Sequence, residues 1–131
     1  EAARLLGRPT ARDEAEMAEQ GHALVAMGAR AVLIKGGHGD GPLAVDVLVE
    51  GHRVSRLEAV RVATRNTHGT GCTLSAAIAA LLASGVGLEA AVRRAKAYVT
   101  RALEAGQMLA VGAGHGPVDH LFAIRRGPPP A

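Results

Sequence analysis

Residues Asn66-Thr67-His68-Gly69-Thr70-Gly71-Cys72-Thr73 lie between an extended, β-branched segment and a long Ala/Leu-rich segment. A strand, a glycine turn and a helix in that order predict an anion-binding turn within an α/β fold. Gly69 and Gly71 let the backbone come close to a ligand. The first N–H groups of the following helix have no acceptor within it and point into the turn, where a phosphate would satisfy them and meet the positive end of the helix dipole. Cys72 falls at the helix start, a position that favours the thiolate and allows proton transfer from a hydroxyl. A lone cysteine also serves as a small apolar filler. The spacing is neither a Walker loop nor a dinucleotide fingerprint.

The rest of the chain reads as α/β. Glu1 to Leu6 reads as the tail of a helix closed by Gly7, and Thr10 as the N-cap of a second helix, with Asp13 and Glu14 in its first turn. Ala31 to Lys35 is a continuous apolar run, as expected of a strand buried on both faces of a parallel sheet. A glycine-rich loop follows to Pro42. Ala44 to Glu50 and Arg53 to Val62 then read as a hairpin around Gly51-His52. Thr73 to Leu82 and Leu88 to Leu103 read as two helices, the second amphipathic. Residues 125–131, rich in Arg and Pro, read as a disordered tail. In α/β folds ligands bind beyond the carboxyl ends of strands, where both Gly36-Gly37-His38 and the Asn66–Gly71 turn are expected.

Composition narrows the function. A chain of 131 residues, 48% hydrophobic, predicts a single domain with one core. A net charge of +3, from basic residues dispersed along the chain, gives no nucleic-acid footprint. One cysteine excludes an internal disulfide and accords with a reducing cytoplasm. No apolar run is long enough to span a membrane. Only Lys35 and Lys96 are lysines, so a lysine at the end of a buried strand stands out; it either meets a phosphate as a point charge or snorkels to solvent. His38 and His68 lie in the two candidate loops. Asp40 and Asp46 read as a hairpin tip and a polar strand face rather than metal ligands.

The segment NTHGTGCTLS, from Asn66 to Ser75, resembles the C-terminal signature of the hydroxymethylpyrimidine/phosphomethylpyrimidine kinases of thiamine biosynthesis, a branch of the ribokinase-like superfamily. Val32 to His38 (VLIKGGH) and Gly114 to His120 (GHGPVDH) resemble two further blocks of that family in the same order. The opening Glu1 to Gly7 is similar to the segment that follows the family's Asn-x-x-Glu motif. That the chain opens without Met, inside a helical pattern, predicts a fragment or a processed form, and the resemblance covers only about the second half of the family's fold.

The resemblance implies the C-terminal part of a three-layer α/β/α fold with a mainly parallel sheet and a β-hairpin. It implies transfer of the ATP γ-phosphate, with Mg2+, to hydroxymethylpyrimidine and to its monophosphate, in a cytoplasmic homodimer without nucleic-acid or membrane partners. Gly69, Thr70 and Gly71 would form the anion hole, with Cys72 as the catalytic residue where most of the superfamily carries Asp. Lys35, Gly36 and Gly37 would bind ATP, His38 and His68 would contact substrate or phosphate, and Glu1 would hold the metal through water. Two alternatives stay open: a pyridoxine or pyridoxal kinase of the same superfamily, and a non-catalytic nucleotide- or phosphate-binding module.

Overall fold

The computed structural model describes residues 1–37, 39 and 41–124. They form two compact units, one from Glu1 to Arg61 and one from Val62 onward. His38, Asp40 and the tail expected at 125–131 lie outside the described residues.

The first unit runs α1 (Ala2–Leu6), α2 (Glu14–Ala26), β1 (Ala31–Lys35), β2 (Leu43–Glu50) and β3 (Arg53–Val60). Gly7 closes α1 in the left-handed conformation, as expected. The cap of α2 is Asp13 rather than Thr10: its carboxylate accepts the Glu16 N–H at 2.8 Å, a bond worth about 1 kcal/mol. Glu16 reaches back in turn to accept the Arg12 N–H at 2.8 Å. Helix α2 packs on β1 and β2. Its core joins Met17 to Val47 and Val49, flanked by Ala11, Ala18, Val25 and Ile34. Burial of Val49 alone is worth about 1.5–3 kcal/mol. Gly21 permits this approach, since a Cβ there would lie 2.5 Å from the Val49 side chain.

The expected hairpin is present, with Gly51 and His52 joining β2 and β3. The sheet itself departs from the sequence reading. Its order is β1-β2-β3 and both pairings are antiparallel, so the described strands do not make a mainly parallel sheet. The connection explains this: only residues 36–42 separate β1 from β2, whereas a parallel crossover needs about a dozen residues or more. β2 is the central strand, and β1 is only half-buried.

The second unit is an α-hairpin, α3 (Thr70–Ala83) and α4 (Leu88–Gly106), followed by a C-terminal segment folded back on α4. Ala91, Val92, Ala95, Val99, Ala102 and Gly106 recur at helical spacing and are buried. Val118 and Phe122 join Ala102 in a small core beside Tyr98. The Asp119 N–H donates to the Ala102 carbonyl at 3.0 Å, and Arg101 lies over the Phe122 ring at 4.8 Å. Within the described residues, no helix is long and apolar enough to cross a membrane.

Candidate active site

In the first unit the candidate residues gather at the end of β1. Lys35 is the last residue of that strand, and its Nζ lies 3.9 Å from Glu1 Oε2. Both side chains reach solvent, so this pair contributes little to stability but places an ammonium and a carboxylate side by side. Gly36 follows, and the reason it is glycine is steric: a Cβ would stand 2.1 Å from the Val45 carbonyl oxygen. Its N–H donates to Asp46 Oδ1 at 3.0 Å. Asp46 is therefore a buried anchor of the loop, not a residue on a solvated strand face.

Arg61 is a second anchor that the sequence reading missed. Its guanidinium donates to the carbonyls of Gly37 at 2.5 Å, Gly41 at 2.8 Å and Leu43 at 3.0 Å. An arginine fork suits this role because its donors are rigid and diverge. Nothing in the local pattern around Arg61 distinguishes it from the other dispersed arginines.

In the second unit the turn before α3 carries the other candidates. Gly69 is the N-cap, with φ of 81°, a conformation open to glycine and costly for other residues. Helix α3 begins at Thr70, earlier than the pattern predicts, which puts Cys72 inside the first turn. Thr70 is engaged locally: its hydroxyl donates to the Thr67 carbonyl at 2.6 Å, and its N–H makes a long contact of 3.3 Å with the same oxygen. The Gly71 and Cys72 N–H groups have no backbone acceptor among the described residues, and the Thr73 N–H is the first to close the helix, onto the Gly69 carbonyl at 2.8 Å. Two adjacent helix-terminal donors are thus left for an acceptor that is not part of the helix. Cys72 is an exposed free thiol, which removes the reading of it as a buried filler.

The turn is held from outside its own sequence. Asn66 Nδ2 donates to the carbonyls of Gly106 at 2.5 Å and Leu109 at 2.9 Å. The His68 N–H donates to the Gly116 carbonyl at 3.0 Å, forming a bridge with Pro117. Gly116 has to be glycine, since a Cβ would meet Asn66 Oδ1 at 2.1 Å. The third block of the sequence reading therefore contributes by bracing the turn. Its His115 makes a long contact of 3.3 Å with the Arg65 carbonyl.

No cluster of three or more His, Cys, Asp or Glu side chains forms among the described residues. Glu1, a single exposed carboxylate, fits a magnesium ion held mainly by phosphate and water, as this ion is usually held.

Residues 1–119 match the model of the phosphomethylpyrimidine kinase family. The chain is 56% identical over 121 residues to the hydroxymethylpyrimidine/phosphomethylpyrimidine kinase of Rhizobium meliloti, covering 92% of this chain and 46% of the relative. It is 50% identical over 123 residues to the enzyme of the same name in Escherichia coli, covering 94% and 46%. Among solved structures, the pyridoxal kinase of Staphylococcus aureus in complex with AMP-PCP and pyridoxal superimposes with a TM-score of 0.88 at 32% identity, over 95% of this chain and 46% of that one. The ribokinase-like α/β fold is thereby established, and the chain spans about half the length of the curated relatives it matches. With its three sequence blocks, its glycine turn and its family match in agreement, the chain belongs to the phosphomethylpyrimidine kinase family.

Proposed function

We propose that this chain supplies the nucleotide-phosphate side of an ATP-dependent kinase that phosphorylates hydroxymethylpyrimidine and then its monophosphate. The observation that carries this reading is the pair of open N–H donors at Gly71 and Cys72, behind a left-handed Gly69. Phosphoryl transfer asks a protein chiefly for positioning and charge stabilisation, and fixed N–H donors supply both without reorganising. In this reading the backbone from Gly69 to Cys72 receives the phosphoryl group, with the Thr70 N–H turning from its long contact with Thr67. The acceptor hydroxyl oxygen attacks the γ-phosphorus as the bond to the ADP oxygen breaks. Its proton passes to Cys72, acting as the general base.

Lys35 would offer a point charge to a nucleotide phosphate. Gly36 and Gly37, held by Asp46 and Arg61, would present the backbone to it. His68 is exposed and can contact substrate or phosphate. Magnesium, when bound near Glu1, would neutralise phosphate charge. The AMP-PCP in the Staphylococcus aureus pyridoxal kinase complex supports ATP as the donor. We extend the reading to a cytoplasmic homodimer; the free, exposed thiol accords with a reducing compartment.

Steady-state assays on a chain of the relatives' full length, with ATP and hydroxymethylpyrimidine, its monophosphate or pyridoxal, separate the candidates. Turnover on the pyrimidines is expected. Turnover on pyridoxal alone would make it a pyridoxal kinase, and nucleotide binding without turnover would make it a binding module. Residues 1–131 alone are expected to show no useful turnover, since they span 46% of the relatives. Robust phosphorylation by them would place the acceptor pocket within this chain.

A further inference from the structure

Thr73 and His120 stand 47 residues apart in sequence, yet Thr73 Oγ1 and His120 Nε2 are 2.9 Å apart. The same hydroxyl donates its single proton to the Gly69 carbonyl at 2.8 Å. The imidazole must therefore be the donor in the other contact, and Nε2 carries a hydrogen. The backbone of His120 is also held, because its carbonyl accepts the Tyr98 hydroxyl at 2.9 Å. At the far end, the Gly69 carbonyl also accepts the Thr73 N–H at 2.8 Å. One carbonyl in a left-handed turn thus receives a peptide N–H and a hydroxyl polarised by a ring N–H.

From this chain of bonds we infer that His120 is a positioning residue for the turn before α3, acting through the buried Thr73 hydroxyl. The inference rests on the kinase reading of that turn. Gly69 sets the direction in which the Gly71 and Cys72 N–H groups leave the backbone. A carbonyl tied at both lone pairs keeps that direction when a charged group arrives and departs. Donors aimed at a phosphoryl group in flight matter more to turnover than to nucleotide affinity, so the loss falls on kcat.

The test uses the full-length kinase. His120→Ala and Thr73→Val should each lower kcat about tenfold, leave KM for ATP within about twofold, and keep the circular dichroism spectrum. The double variant should be no slower than the slower single, since both act on one hydroxyl. His120→Gln, which returns an N–H donor near the Nε2 position, should recover kcat to within about threefold of wild type. Should Thr73→Val fail to fold, the Ala and Gln variants of His120 decide the question alone. Unchanged kcat in His120→Ala, multiplicative losses in the double variant, or a Gln variant as slow as Ala would each overturn the inference. Wild-type enzyme without pyrimidine phosphorylation would instead overturn the kinase reading beneath it.

Discussion

Gly36 and Gly69 lie in the two candidate loops, and each resists replacement for a different reason. At Gly36 the space is filled, since a Cβ would meet the backbone oxygen of Val45 in the central strand at 2.1 Å. At Gly69 the space is empty to 4 Å, and the restriction is the backbone angle, φ of 81°. The first loop is therefore shaped by the sheet on which it lies, whereas the second is shaped by a turn with open donors behind it. A region whose geometry comes from a rigid sheet is suited to holding a substrate. One that leaves helix-terminal N–H groups free is suited to stabilising charge that appears only during reaction.

If that division holds, substitutions in the second region should act on turnover and those in the first on nucleotide affinity. The largest effect is expected at Cys72. In the full-length enzyme Cys72→Ala should lower kcat by about two to four decades with ATP binding nearly intact, because the backbone donors survive. Cys72→Asp should fall between wild type and Ala, as a carboxylate can accept the same proton. Near-wild-type turnover in the Ala variant would leave the turn with electrostatic work alone. Lys35→Ala should act on the other side of the comparison, weakening ATP binding by roughly one to two decades for a lost charge-assisted contact of about 1.5–3 kcal/mol. Isothermal titration with an ATP analogue would measure it, and an unchanged Kd would return Lys35 to a solvent-seeking strand end.

The two glycines give the next effects. Gly36→Ala must displace a paired strand and should cost about 1–3 kcal/mol in denaturant unfolding. Gly69→Ala should cost about 1–2 kcal/mol through its dihedral, and Gly69→Asn less, because asparagine tolerates the left-handed region. If Asn and Ala cost the same at Gly69, crowding rather than backbone angle limits that site. The smallest effect concerns the α2 cap. The Arg12 side chain, and then its backbone N–H, hold the Glu16 carboxyl below its ordinary range. A depressed carboxylate stabilises the fold above its unfolded pKa, and the benefit fades as pH falls through the folded value. The melting temperatures of wild type and Glu16→Gln should therefore differ slightly at neutral pH and converge in acid. A gap that persisted in acid would show that packing, not charge, distinguishes the two.

Local pattern made much of this legible. The closure at Gly7, the hairpin around Gly51 and His52, the amphipathic α4 and the turn from Asn66 to Cys72 follow from spacing within a few residues. Legibility fell where the partner is distant or two residues compete. Asp13 displaced Thr10 as the cap because only it has Glu16 three residues on, with Arg12 to hold that carboxylate. Asp46 reads as solvated because an isolated acid in a valine strand resembles a polar face; one of its partners, the Gly36 N–H, lies ten residues earlier. The antiparallel pairing of β1 with β2 is set by their short connection, because apolar runs do not encode direction. Arg61 and the Thr73–His120 contact depend on tertiary closure, which no window of sequence contains.

The bond from Asn66 to the carbonyls of Gly106 and Leu109 has a consequence for transplantation. The eight residues from Asn66 to Thr73 owe part of their conformation to bonds with residues outside them. A peptide or foreign scaffold carrying NTHGTGCT would have the glycines and the cysteine without the brace that shapes them. Its phosphate affinity should be no better than that of an ordinary helix start, because the portable unit is the turn together with the end of α4 and the segment at Gly116.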